Sequence, residues 1–143
     1  MKTTIRKTYF ALAIISLLCG MAIYLFFRNL NIVLFAWLPK PPVLDALFIP
    51  LKPSQGASFL RYHLPDMLWF LSGILFFRFL WFNNRKWQRL YIAAFYAAAL
   101  IIEVSQLWER VSGTFDPLDL FFMGISAFVE GVLYNNFVRR RLV

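Results

Sequence analysis

A single cysteine, Cys19, leaves this chain without an intramolecular disulfide, so no redox framework organises it. Histidine is as scarce: His63 stands alone, and no His or Cys spacing of the zinc-binding kind occurs. A Gly-rich phosphate loop, a nucleophile elbow and an HExxH run are all missing, which removes the common catalytic signatures. No internal repeat or low-complexity tract divides the chain, and no segment reads as a strand. Charge is sparse, at 15% of residues, with seven acids against fifteen bases.

Apolar character fills the space these absences leave. Hydrophobic residues make up 61% of the 143 positions and aromatics 20%, and the mean hydropathy is +0.64. A soluble domain this small could not bury so much apolar surface in one core. The solvent for most of the chain is therefore lipid. A formal net charge of +8 would ordinarily raise nucleic acid as a partner. Here the bases cluster at the ends of apolar runs, the pattern of topology control, so no nucleic acid is expected.

Four runs are long enough to span a bilayer: Tyr9 to Phe27, Leu64 to Phe82, Leu90 to Trp108 and Pro117 to Phe137. The first carries no charge and reaches about 28 Å at about 1.5 Å per residue. It is too long for a secretory h-region and ends in no small-residue cleavage site. Leu18 sits where a lipoprotein cleavage box before Cys19 would need a small side chain, so a retained helix is expected. Lys2, Arg6 and Lys7 precede this span, Arg85, Lys86 and Arg89 join spans two and three, and Arg139, Arg140 and Arg141 close the chain. With four helices these clusters share one side, which the positive-inside rule makes cytoplasmic, and both termini with it. The fold class expected is all-α, a single four-helix transmembrane bundle over residues 1–143. Between spans one and two, Pro39, Pro41, Pro42, Pro50 and Pro53 break up an outer loop whose apolar pieces could cap the bundle.

Polar residues inside apolar spans are costly and so point to function. Glu103, Gln106 and Arg110 recur at helical spacing on one face of span three, and Asp116 with Asp119 opens span four. Asp66 stands at the outer start of span two. Together with Arg61 and His63 these residues form a candidate outer polar site. Its members also have plainer readings: Asp66 and Asp116 as helix N-caps, Glu103 held against Arg110, and His63 as an interfacial anchor beside Tyr62. His63 could alternatively act as a general base or as a metal ligand beside the carboxylates. No cofactor and no metal is expected, with a carboxylate-only divalent site from Glu103, Asp116 and Asp119 as the weak exception. Arg78 and Glu130 each lie about 20 Å below the outer boundary, and opposite charges at matched depth suggest an ion pair between spans two and four. Small residues, Ser72 and Gly73 on span two, Ala93, Ala94, Ala97 and Ala98 on span three, Gly124, Ala127 and Gly131 on span four, are placed to let helices approach closely.

The run Glu103-x-x-Gln106-x-x-x-Arg110, followed by Asp116-x-x-Asp119 at the next helix start, resembles the VanZ-like family of small bacterial membrane proteins. Leu64-Pro65-Asp66-Met67-Leu68-Trp69 looks like the Asp-bearing start of that family's preceding helix, so the likeness covers about Leu64 to Tyr134. Met123 and Ser126 stand where the family usually has Asn and Gly. The resemblance implies a multi-pass protein of a bacterial cytoplasmic membrane, some of whose relatives raise tolerance to teicoplanin-type glycopeptides. It implies no reaction, and it marks Asp66, Glu103, Gln106, Asp116 and Asp119 as the polar motif. From site character, three functions compete: binding of an envelope lipid, cell-wall precursor or amphiphilic antibiotic; acid–base chemistry on a lipid-linked substrate centred on Glu103; or an accessory subunit docked on a larger membrane partner or a second copy.

Overall fold

The computed structural model describes residues 2–27, 41, 43, 54–108 and 115–137. Helix α1 covers Lys2–Phe27. A short helix α2, Gln55–Ser58, runs through a π-helical turn, Phe59–His63, into α3, Leu64–Leu80. Helices α4, Arg85–Gln106, and α5, Pro117–Phe137, follow among the described residues. No strand occurs among the described residues. Four helices, Thr3–Phe27, Gly56–Leu80, Arg85–Gln106 and Pro117–Asn136, are long and apolar enough to cross a membrane.

Local chemistry explains the boundaries, which differ from the expected spans. Asn84 caps α4 by accepting the Trp87 amide at 3.2 Å, so the helix begins at Arg85 and takes Arg85, Lys86 and Arg89 into its first turns. These bases are helical, not part of a connecting loop. At the start of α3, Pro65 has no N–H for the carbonyl one turn back, and its ring crowds that carbonyl. The wider π turn over Phe59–His63, closed by the Leu64 amide on the Phe59 carbonyl, opens the helix at that point. One continuous helical rod results, and Asp66 lies inside it, half-buried, not at its free end.

Helix α3 is the centre of the bundle. It packs most closely against α1, then α5, then α4. Tyr9 meets Phe82 and Tyr24 meets Trp69, so α1 runs antiparallel to α3. Trp81 stacks on Tyr91 and Phe70 on Phe95, so α4 does too. The starts of α3 and α5 lie together, with His63 against Asp119. Ile5, Tyr9, Ala13, Leu71 and Leu75 form the core, with Val129 and Leu133 of α5 against it. Arg6 reaches across to the end of α3, donating to the Phe79 carbonyl at 3.3 Å with its guanidinium over the Phe79 ring. The basic starts of α1 and α4 therefore lie at one end of the bundle, and the starts of α3 and α5 at the other.

Small residues divide into two groups. The Ser72 hydroxyl donates to the Ala13 carbonyl at 2.8 Å, and Phe95 packs where a side chain on Gly73 would stand. Those two sit at helix contacts, as expected. Ala93, Ala94, Ala97 and Ala98 are exposed instead, and a Cβ on Gly124 or Gly131 would meet nothing within 4 Å. The close packing expected of these six does not occur among the described residues, and α4 touches α3 through the aromatics Phe95, Tyr96 and Tyr91 instead of its alanines. Large rings hold helices apart where Ala faces would have let them close.

Candidate functional site

Polar side chains gather where α3, α4 and α5 meet, at the end opposite the basic starts of α1 and α4. Asp116 is the N-cap of α5. Its Oδ1 accepts the Leu118 amide at 2.9 Å, its carbonyl accepts the Asp119 amide at 3.0 Å, and Pro117 fills the first helical position. The cap reading of Asp116 is thus part of the answer, since its second oxygen, Oδ2, still faces His63 at 4.0 Å. The π turn carries His63 to the α5 side, where Phe122 lies beside its ring with centroids 5.2 Å apart. His63 Nδ1 lies 2.9 Å from Asp119 Oδ1. An ionised carboxylate only accepts, so this contact puts a proton on Nδ1 and, in the neutral ring, leaves the Nε2 lone pair turned toward Asp116.

Glu103 is the most buried carboxylate of this group, at 6% exposure. Its Oε1 accepts the Asp116 backbone amide at 2.9 Å. That amide is one of the orphan donors at the start of α5, so the bond joins the last turns of α4 to the cap of α5 across the segment between them. One oxygen of Glu103 is thereby committed to holding architecture. Ser126 performs a similar task one layer deeper, donating from Oγ toward the Met67 carbonyl of α3 at 2.9 Å and toward its own helix at Phe122.

The structure therefore brings together Glu103, Asp116, Asp119 and His63, four members of the expected polar site. Gln106 ends α4, half-buried, and makes no side-chain hydrogen bond to this cluster. Asp66 lies one helical turn beyond His63, half-buried, and has a partner of its own. Arg110 falls outside the described residues, and so does most of the proposed Pro-containing roof, of which Pro41, Val43 and residues 54–63 are described. His63, Asp116 and Asp119 each offer one ligand atom, all within 4.8 Å of one another, so these three could hold a divalent cation. Glu103 is not of this set, in contrast to the carboxylate-only site considered from sequence.

A second polar centre lies toward the basic end. Arg78 Nε donates to Glu130 Oε1 at 2.6 Å and Nη2 to Oε2 at 3.1 Å, a bidentate pair between α3 and α5. Arg78 Nη1 also donates to Gln88 Oε1 at 2.7 Å, and Gln88 Nε2 returns a bond to the Arg78 carbonyl at 3.2 Å. The guanidinium lies 4.4 Å from the Tyr134 ring centroid. Gln88 had no place in the sequence reading. The signal was there, an amide near the start of an apolar helix on the same face as Gln106, but nothing local says which charge it will meet. No family model, curated protein or solved structure matches this chain.

Proposed function

We propose that this chain is a VanZ-like multi-pass protein of a bacterial cytoplasmic membrane, with both termini inside, and that its outer polar cluster binds the head of an envelope amphiphile. One observation carries the reading: Nε2 of His63 and Oδ2 of Asp116 face each other across 4.0 Å. Two acceptors at that distance leave room for a shared donor or cation between them, which selects an ammonium-bearing or hydroxyl-rich head over an anionic one. A lipid headgroup, a cell-wall precursor and a glycopeptide-type antibiotic all present such groups on an apolar body that could remain in the bilayer. Asp66, Gln106 and Arg110 complete the ligand-binding set proposed from the sequence. The test is purification from native bacterial membrane with lipid analysis of the copurified species, comparing the natural chain with Asp119→Asn and His63→Ala. Both variants should lose a species that the natural chain retains, and an unchanged profile would sink the proposal.

The His63–Asp119 contact favours a second reading, acid–base chemistry on a lipid-linked substrate. A carboxylate on Nδ1 fixes the orientation and tautomer of the ring, which leaves Nε2 as the base. On this reading the base is His63 and not Glu103, whose Oε1 is already held by an amide. Binding predicts graded loss across Asp116, Asp119 and His63; catalysis predicts that His63→Ala retains the copurified species yet abolishes its conversion.

A further inference from the structure

A shallow groove of about 650 Å³ runs along the first two turns of α4, lined by Arg85, Lys86, Arg89, Leu90 and Ala93. Positions i, i+1, i+4, i+5 and i+8 form one stripe of a helix, so three cations stand directly above two apolar residues. All five are exposed.

No carboxylate neutralises these cations among the described residues. Asp66, Glu103, Asp116 and Asp119 lie at the other end of the bundle. Glu130 is the sole described acid toward this end, and both its oxygens are taken by Arg78. Three exposed charges of one sign attract an anion, and none of the described residues supplies one.

Depth decides what kind of anion. Trp81, Trp87 and Tyr91 pack together at the same level, with Trp81–Tyr91 centroids 5.0 Å apart and Trp81–Trp87 6.0 Å. Amphipathic rings of this kind concentrate at the headgroup layer of a bilayer. The basic residues flank these rings in sequence, while Leu90 and Ala93 continue toward the apolar body of α4. A free phosphate would use the upper half of such a groove only.

We infer that this groove is a binding site for an anionic phospholipid, with the phosphate held by Arg85, Lys86 and Arg89 and an acyl chain along Leu90 and Ala93. Arg supplies paired donors to phosphate oxygens and Lys a point charge, so the headgroup is gripped by charge and geometry together. The site is separate from the polar cluster at the opposite end and stands whether or not that cluster binds an amphiphile.

The test is native mass spectrometry of the full chain in detergent, titrated in turn with phosphatidylglycerol, phosphatidylcholine and inorganic phosphate. Phosphatidylglycerol should bind in preference to both. The exposed triple substitution Arg85→Gln, Lys86→Gln and Arg89→Gln should weaken it roughly tenfold or more, since each basic residue at an anionic surface contributes separately. Arg6→Gln, at the same end but outside the groove, should leave binding unchanged. Equal retention of phosphatidylcholine by the natural chain would overturn the inference without any variant. So would phosphate binding as tight as that of the lipid, undiminished lipid binding by the triple variant, or an equal loss in Arg6→Gln.

Discussion

At the level of single side chains, the polar cluster separates residues that hold the site from those that face its interior. Glu103 accepts an amide through one oxygen, and glutamine retains that acceptor. Glu103→Gln should therefore leave thermal unfolding in detergent nearly unchanged, whereas Glu103→Ala leaves the Asp116 N–H without its acceptor and should cost about 1–3 kcal/mol. Equal losses in the two variants would mean that the charge, and not the hydrogen bond, holds α4 to α5. The sequence made Glu103 conspicuous because a carboxylate in an apolar helix is expensive. It could not say that the partner would be a backbone amide thirteen residues on, since that depends on how the chain returns to begin α5. His63 is the opposite case. Read locally, it is a polar anchor next to Tyr62, and only the π turn before Pro65 turns its ring toward Asp119.

Between elements, the decisive contacts are those of α3 with its three neighbours. Arg78 is gripped by Glu130 of α5 and Gln88 of α4, so one guanidinium ties three helices. Removing either charge strands the other in a buried setting, and Arg78→Ala or Glu130→Ala should each cost about 3–5 kcal/mol. The exchanged pair, Arg78→Glu with Glu130→Arg, should recover membrane level and melting temperature in part, held below the natural pair by the misplaced Gln88. No recovery at all would show that position-specific contacts outweigh charge complementarity. The two charges were legible as partners from depth alone, because both spans start at the same boundary and rise by the same increment per residue. Glycines give a sharper contrast. A Cβ on Gly20 would stand 2.6 Å from Trp69 Cδ1 and 3.2 Å from the Pro65 carbonyl oxygen. Gly20→Ala should then destabilise the α1–α3 contact by about 1–3 kcal/mol, while Gly124→Ala should be neutral or gain up to about 1 kcal/mol from helix propensity. Melting curves of the two variants, side by side, check both.

For the whole molecule, topology follows from arithmetic on runs and charges. Four helices among the described residues are long and apolar enough to cross a membrane, and the positive-inside rule applied to the clusters of bases predicts that both termini lie inside. Alkaline phosphatase fused after residue 143 or before residue 1 should be inactive, and the same enzyme inserted between residues 28 and 54 should be active; activity at either terminus would reverse the orientation. This much was settled one residue at a time: class, helix count and the matched depth of Arg78 and Glu130 depend on hydropathy and rise per residue, which are local properties of a chain in lipid. The identity of contacts was not local. Which faces met depended on the rings of Phe70, Phe95 and Tyr91 outcompeting the alanines of α4, and on a proline-driven π turn rotating His63 toward Asp119. Such choices are made by side chains from distant segments competing for the same space, and only the folded chain brings those segments together.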